Sequence, residues 1–207
     1  HRSGEVVGGL LLSPMGQFYG GVSLKMVGVG GVGIRPDARG SGLATSMMRD
    51  AVEEMHQRRV PISVLYPTTQ SLYRRAGYEQ AGERFSITLR PREIGLRERS
   101  LELWPMRDED HEQARALYRR FAAWHPGHLD RCSYTWARVL EPHGCPRADG
   151  YAVGARGAME GYAYLHRVRT SEHFFRLDIR DAAVTTPAAA RRLLSLVADH
   201  ATVAESA

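Results

Sequence analysis

A short loop that combines glycine and arginine, Arg39-Gly40-Ser41-Gly42, has the residue types of a phosphate site. Apolar residues then recur at intervals of three and four, which predicts an amphipathic helix beginning near Leu43. The first turn of a helix leaves backbone N–H groups unpaired and carries the positive end of the helix dipole. Glycine lets the backbone approach a ligand, while Arg35 and Arg39 add cationic, forked donors. The loop is therefore predicted to bind a pyrophosphate.

Three other interpretations of the glycines in residues 28–42 compete with the pyrophosphate site. Gly28, Gly30 and Gly33 have the spacing of the dinucleotide fingerprint, which must open a helix at its last glycine. Here Pro36 follows and the helical pattern starts later, so the context disfavours it. A P-loop is excluded because no Gly-Lys-Ser/Thr follows. A glycine-bearing turn without a ligand stays open as the simplest alternative.

The elements that position the loop are predicted from periodicity and turn residues. The central helix should run from near Leu43 to about Arg59, and Thr68 or Thr69 should cap a short helix through Arg75 that glycine ends. A turn at residues 13–16 is predicted to separate the first two strands. Strands are predicted at residues 6–12, 17–22, 25–34, 61–65, 78–80 and 84–89, the last two as a hairpin.

The pattern restarts after residues 92–99, a charged segment interrupted by proline and glycine. It predicts a linker between domains at residues 1–91 and 100–207. Asp108 and Thr186 should cap helices, and Ser133–Leu140 should form another. The junction at residues 185–190 has neither arginine nor glycine, so the second domain is predicted to be structural. Its strands are predicted at residues 101–105, 151–155, 161–168 and 174–184.

Composition places the chain among globular proteins. With 207 residues, 43% hydrophobic and 25% charged, it can bury one large core or two small ones. No apolar run approaches the ~18–20 residues that span a bilayer and no leader opens the chain, so we expect a cytoplasmic protein without a membrane partner. The net charge of +5 comes from scattered arginines mixed with acids, so no nucleic-acid partner is expected.

Metal binding is not expected from this sequence. Cys132 and Cys145 lack the Cys-x-x-Cys spacing of a zinc site and should be free thiols. His125 and His128 are closely spaced but have no third ligand nearby. The sequence therefore predicts no metal centre.

Residues 32–44 and two downstream segments resemble the GNAT N-acetyltransferases. The acyl-CoA motif of that superfamily, Arg/Gln-x-x-Gly-x-Gly/Ala between a strand and a long helix, is matched from Arg39 to Ala44. Residues 65–68 resemble its next strand, and residues 72–79 its Tyr-x-x-x-Gly-Tyr segment. Within the superfamily, the sequence resembles the Eis family of aminoglycoside and lysine N-acetyltransferases.

The resemblance implies an α/β (α+β) fold with two tandem GNAT-like units, each with a mixed central sheet. The first unit is expected to lack its N-terminal part. The second is expected to be degenerate and to lack its C-terminal part, and the third domain of the Eis family is absent from this sequence. Acetyl-CoA is the implied cosubstrate.

The resemblance also implies roles for individual residues. Tyr73 aligns with the tyrosine that protonates the leaving thiolate and is the predicted general acid, although a core tyrosine stays the alternative. Tyr78 is assigned to the core. Thr68 matches a polar position near the cofactor, and helix capping explains it equally well. The predicted cofactor-binding residues are Val32 and Ile34, through their backbone, with Arg39, Gly40, Ser41, Gly42, Leu43, Ala44 and Thr68.

The predicted function is transfer of an acetyl group from acetyl-CoA to a primary amine by direct attack in a ternary complex. The acceptor would be an aminoglycoside, a polyamine or a lysine, and homo-oligomerisation is left open. The strand before the loop has no carboxylate to act as general base, and Glu53, Glu54 and Glu79 are better explained as solvated residues. The resemblance implies that a chain-terminal carboxylate of the absent third domain is the base. The rival hypothesis is a non-catalytic acyl-CoA-binding or scaffold protein.

Overall fold

The computed structural model describes residues 4–83, 85–142 and 144–207. Contacts divide the chain into two compact units. The first unit holds the described residues up to Phe85 together with Pro126–Cys132, and the second holds the described residues of Ser86–His125 and Ser133–Ala207. Each unit has a sheet of parallel and antiparallel strands with helices packed on it. The predicted α/β fold with two tandem mixed-sheet units is therefore confirmed.

In chain order the helices and strands are β1 (Gly8–Tyr19), β2 (Val22–Ile34), α1 (Leu43–Gln57), β3 (Ile62–Leu65), α2 (Gln70–Arg74), β4 (Leu103–Pro105), α3 (His111–Ala123), β5 (Leu129–Asp130), α4 (Ser133–Leu140), β6 (Asp149–Ala155), β7 (Ala158–Arg169), β8 (Phe175–Val184), α5 (Pro187–Ala198) and β9 (Ala204–Ser206). The sheet of the first unit has the strand order β3-β2-β1-β5, and that of the second has the order β4-β6-β7-β8-β9.

A long antiparallel hairpin of β1 and β2 forms the centre of the first sheet. Gly20 and Gly21 connect the strands at φ of 55° and 81°, a region that favours glycine. The predicted division into three strands with a turn at residues 13–16 is wrong, because Pro14 lies within β1 opposite Val27. Proline is tolerated there since β5 covers the other edge of β1, within the described chain, only further along the strand.

The helix α1 begins at Leu43, where the periodicity predicts it, and ends at Gln57. Its buried side chains Met48, Ala51 and Met55 pack in one cluster with Val27 and Val29 of β2. The helix therefore covers the strand that leads into the loop. Burial of this apolar face holds the start of the helix against the sheet.

The short helix α2 ends at a turn that requires glycine. Gly77 has φ of 93°, and its amide donates to the carbonyl of Arg74 while the amide of Tyr78 donates to that of Tyr73, at 3.0 and 3.1 Å. These two bonds close the helix end in the way that a left-handed glycine allows. The predicted glycine stop is confirmed.

The hairpin predicted at residues 78–80 and 84–89 is wrong for the residues that the structure describes; Arg84 lies outside them. Residues 78–83 and 85–90 contain no strand, and the side chains of Phe85 and Ile87 are each 78% exposed. Leu89 instead exchanges two backbone hydrogen bonds with Ala207, of 2.7 and 2.9 Å. The alternation of apolar and polar residues at positions 84–89 suggested a strand paired with residues 78–80. The backbone at Leu89 pairs instead with a residue more than a hundred positions away, which local periodicity cannot reveal.

The second unit confirms most of its predicted elements. The helix α4 has the predicted bounds, and α5 begins at Pro187 with the Thr186 side chain accepting from the Ala189 amide. The predicted cap at Asp108 is wrong, because Asp108 begins a short 3₁₀ turn and the N-cap residue of α3 is Asp110. Buried Tyr118 of α3 meets Trp136 of α4 edge to face, with ring centroids 5.3 Å apart. These rings belong to the core of the unit.

The segment predicted as a linker is packed within the second unit. Ile94 lies against the apolar cluster under α5, and the amide of Glu98 donates to Ser195 Oγ at 2.8 Å. The compact units therefore differ from the predicted limits, since the second begins at Ser86 and Pro126–Cys132 belongs to the first. Contacts alone do not show where independently folding domains end, so the predicted domain boundaries stay a prediction.

Candidate cofactor site

The loop between β2 and α1 presents a run of unpaired backbone amides. Within the described chain, the N–H groups of residues 40–45 donate no hydrogen bond, and the first helical amide that is bonded is that of Ser46, to the carbonyl of Gly42 at 3.0 Å. Ser41 Oγ donates to the Ala38 carbonyl at 2.7 Å and holds the loop in place. Exposed amides beside a helix N-terminus favour an anionic ligand.

Two glycines are needed for the backbone path of this loop. Gly40 has φ of 76° and Gly42 has φ of 82°, in the left-handed region that other residues rarely adopt. A Cβ atom at either position would meet no other protein atom within 4 Å, so the space beside the loop is open. The conformation and the open space together allow a ligand to reach the backbone.

The two arginines of the loop have different surroundings. Arg39 is exposed and its Nε donates to the carbonyl of Ile34 at 3.1 Å; it has no acidic partner in the described chain. Arg35 binds Asp37 through two hydrogen bonds and Glu5 through a third, which raises the pKa of its guanidinium. Arg39 therefore keeps its terminal nitrogens available for an anion, whereas the guanidinium of Arg35 is engaged with carboxylates. Sequence spacing could not reveal the contribution of Glu5.

Beyond Val29, the edge of β2 that faces β3 is open. Within the described residues, β3 pairs with β2 only from Met26 to Val29, so the five residues up to Ile34 have no strand on that side. The pairing of β1 with β2 shifts register between Gly9 and Leu11, and Gly31 has a φ of 59°, which marks a bulge in the same stretch. The backbone of Val32 and Ile34 thus lies on a strand segment with an open edge that leads directly into the amide-rich loop.

Tyr73 is buried, but its hydroxyl has no hydrogen-bond partner in the described chain. Its side chain is 8% exposed and packs in the cluster that contains Val27, Val29 and Met48. The hydroxyl oxygen is not one of the buried unpaired polar atoms of the described residues, so it remains accessible to a ligand. Thr68 is exposed and precedes α2, whose N-cap residue is Thr69, without a side-chain capping bond. Capping therefore does not explain Thr68, and its predicted role stays a prediction.

The carboxylates considered as general bases are engaged with solvent-exposed partners. Glu53 accepts from Gln57, Glu54 pairs with Arg58 at 2.6 Å, and Glu79 pairs with Arg74 at 3.2 Å. The strand β2 has no carboxylate in its sequence. The interpretation of these glutamates as solvated surface residues agrees with their contacts.

The corresponding strand-to-helix junction of the second unit is closed. Pro187 has no N–H group, and the amides of Ala189 and Ala190 donate to Thr186 at 3.2 Å each. Thr186 Oγ1 in turn donates to the carboxylate of Glu160 at 2.8 Å. The negative charge beside the helix start opposes an anionic ligand. Glu160 is the residue that sequence reasoning missed, because it comes from β7.

A second group of titratable side chains lies around His111. Arg147 donates to His111 Nε2 at 2.9 Å, so the neutral ring carries its proton on Nδ1 and donates it to Tyr164 Oη at 2.7 Å. Burial and the charge of Arg147 lower the pKa of His111. Arg147 also binds Asp108 and lowers the pKa of that carboxyl group.

The cavity beside this group, about 240 Å³, is smaller than the ~300–1,000 Å³ of typical ligand pockets. Its charged residues are already paired, since Arg147 binds Asp108 and Asp149 binds Arg167 at 2.8 Å. We assign no cofactor to it. Across residues 4–83, 85–142 and 144–207 there is no group of three or more potential metal ligands.

Two parts of the chain match known protein families. Residues 1–81 and 127–207 each match a family model described as an acetyltransferase (GNAT) domain. No curated protein matches the sequence significantly. The predicted resemblance to the GNAT superfamily is confirmed for these two segments, and the first contains the whole of the candidate site.

Solved structures give the same fold. A GCN5-related N-acetyltransferase from Anabaena variabilis is 31% identical over 100% of this chain and 53% of its own, with a TM-score of 0.91. A GCN5-related N-acetyltransferase from Kribbella flavida is 24% identical over 99% of this chain and 50% of its own, with a TM-score of 0.79. Eis1 from Mycobacterium abscessus is 19% identical over 100% of this chain and 54% of its own, with a TM-score of 0.73. The last two show the fold alone, and this chain spans about half the length of the structures it matches.

Among the described residues, no helix is both long enough and apolar enough to span a lipid bilayer.

Proposed function

Because the chain carries two GNAT acetyltransferase domains, we propose that it transfers an acetyl group from acetyl-CoA to a primary amine by direct attack in a ternary complex. The observation that carries this proposal is the loop at residues 39–45, where six unpaired amides and the exposed Arg39 meet the start of α1. The site lies in the domain matched over residues 1–81. The junction in the second domain offers no equivalent.

Each part of the first site has a proposed role. Arg39 and the backbone from Gly40 to Ala44 would hold the pyrophosphate of CoA, since amides and a guanidinium suit phosphate oxygens. The open edge of β2 at Val32 and Ile34 would bind the pantetheine arm, and Thr68 would add a polar contact. When bound, acetyl-CoA supplies an activated acetyl group.

Tyr73 would act as the general acid of the reaction. Amine attack on a thioester ends with departure of a thiolate, which needs a proton. The Tyr73 ring packs in an apolar cluster and its hydroxyl has no partner in the described chain, so its proton is not committed to another acceptor. Burial restricts its ring without occupying the hydroxyl. Both properties suit a proton donor.

The acceptor is proposed from family resemblance alone. An aminoglycoside, a polyamine and a protein lysine all present primary amines, and the Eis likeness favours acceptors of this class. The base that removes the proton from the ammonium is not assigned to β2, which carries no carboxylate. That absence favours one rival, a non-catalytic acyl-CoA-binding or scaffold protein.

Thiol release from acetyl-CoA separates the enzyme from its rival. The protein is incubated with acetyl-CoA and a panel of amines (a polyamine, an aminoglycoside and a lysine peptide), and free CoA thiol is measured. We expect release that depends on at least one amine and on protein concentration. Saturable binding of acetyl-CoA without release for any amine would favour the non-catalytic rival, and the lack of binding would contradict both.

Acetyl-CoA is expected to bind with a stoichiometry of one per chain. The first domain has open amides and an uncommitted arginine, whereas in the second Thr186 caps the amides and Glu160 adds a negative charge. Titration calorimetry measures the stoichiometry directly. A value of two would contradict the structural role predicted for the second domain, and Thr186→Ala should leave the value at one.

A further inference from the structure

The side chain of Tyr78 connects Tyr73 to the sheet of the first unit. Tyr78 Oη and Ser63 Oγ on β3 are hydrogen-bonded at 2.8 Å. The rings of Tyr78 and Tyr73 meet edge to face, with centroids 6.5 Å apart and planes at 77°. Ser63 is itself fixed, because it pairs with Val27 in the parallel part of the sheet. A continuous set of contacts therefore runs from β3 through Tyr78 to the ring of Tyr73.

The backbone reinforces this arrangement. The Tyr78 amide donates to the carbonyl of Tyr73 at 3.1 Å, across the turn that Gly77 makes at φ of 93°. The two tyrosines are thus held at adjacent points of one closed helix end. Their relative position is set by the fold and not by side-chain packing alone.

The Ser63–Tyr78 bond persists at neutral pH. Burial raises the pKa of the Tyr78 hydroxyl above its ordinary value, while the bond to Ser63 acts in the opposite direction and is the smaller effect. Tyr78 is therefore protonated at neutral pH, and its hydroxyl can act as donor or acceptor to Ser63. The Tyr73 hydroxyl has no such anchor in the described chain. Its position depends on the contacts made by its ring, which include the contact with the ring of Tyr78.

We propose that Tyr78, fixed by Ser63, is a positioning residue that holds the Tyr73 hydroxyl where it can protonate the leaving thiolate. The inference rests on the proposed function of Tyr73. A phenol oxygen lies on the axis of its ring, so a flip about that axis leaves the oxygen in place, whereas a tilt of the ring moves it. The contact of the Tyr78 ring, which packs against the same apolar cluster, resists such a tilt. Proton transfer is sensitive to small displacements, so this restraint acts on turnover more than on cofactor binding.

Tyr78→Phe and Ser63→Ala test the proposal, because each removes one hydroxyl of the bond and keeps the backbone. We expect kcat to fall about 10-fold in each, with KM for acetyl-CoA within about twofold, since only the proton donor is displaced. The double variant should be no slower than the singles, because both changes break one bond. Ser63→Thr keeps a hydroxyl and should restore most of kcat. Tyr19→Phe is the matched control; it removes a hydroxyl from a tyrosine that is 43% exposed in the same unit.

A second measurement follows Tyr73 without relying on turnover. In protein labelled with ¹³C at the tyrosine ring carbon that bears oxygen, the Tyr73 resonance should shift or broaden in Tyr78→Phe and Ser63→Ala but not in Tyr19→Phe. An unchanged Tyr73 resonance with unchanged kcat in both variants would overturn the positioning role while leaving the proposed function intact. Tyr73→Phe with parental activity would instead overturn the general-acid role, and the positioning role with it. If Tyr78→Phe lowers the melting temperature below the assay temperature, the comparison of Ser63→Ala with Ser63→Thr tests the proposal instead.

Discussion

Replacing Gly42 by glutamate is expected to abolish acetyl-CoA binding. Gly42 precedes α1 at φ of 82°, so any side chain there strains the backbone of the loop that holds the unpaired amides. The added carboxylate would also place a negative charge where a pyrophosphate is proposed to sit. We expect Kd, measured by titration calorimetry, to rise at least about 100-fold, equal to about 2.8 kcal/mol.

Gly82→Glu is the matched control for that experiment. Gly82 is exposed, has no positive φ and lies in the same unit, so this variant makes the same change in composition and charge away from the loop. Its affinity should equal that of the parent. Gly42→Ala separates the two effects, because it adds backbone strain without charge and should weaken binding less. Parental affinity in Gly42→Glu, with the protein folded by thermal melting, would remove the basis for placing CoA at this loop.

The change from Tyr73 to phenylalanine is expected to reduce kcat by about 10²–10⁴-fold, the range typical of a lost general acid. The ring would keep its packing against Val27 and Met48, so the fold and the affinity for acetyl-CoA should be maintained. Steady-state rates of thiol release, with calorimetry for binding, measure the two quantities separately. Only the proton on the hydroxyl is removed, so the loss should appear in turnover.

The competing explanation is that Tyr73 serves the core. In that case the phenylalanine variant would have activity within about twofold of the parent, where the general-acid role requires orders of magnitude. Tyr19→Phe again controls for the loss of a tyrosine hydroxyl elsewhere in the unit. A large loss of both binding and melting temperature in Tyr73→Phe would indicate a structural role and would also contradict the assignment.

Local sequence signals were sufficient for the helices. The start of α1 at Leu43 follows from the change to a helical period directly after a glycine, and the start of α5 follows from Thr186 and Pro187. The end of α2 follows from Gly77, since that turn needs a left-handed residue. Each of these signals acts within a few residues of its effect. The helix boundaries that these signals predict are found in the structure because each boundary depends on residues that are neighbours in the chain.

Strand pairing was the main source of error. Residues 85–89 alternate like a strand, yet in the described chain Leu89 pairs with Ala207 and the expected hairpin is absent. The strands β5 and β9 were not predicted, because each is at most three residues long and exists only through pairing with β1 or β8. Pro14 suggested a turn, but an edge largely free of neighbours allows it inside β1.

The sequence by itself determined the amide-rich loop, the glycines that shape it, the helix that follows and the GNAT resemblance, because these depend on residues that are neighbours in the chain. Only the tertiary structure decided which charged groups remain available. It engages Arg35 with Glu5 and leaves Arg39 without an acidic partner in the described chain, and it brings Glu160 to the start of α5. It also joins Ser63 to Tyr78 beside Tyr73. Those pairings join residues from different elements, so their geometry is set by packing and cannot be read from spacing along the chain.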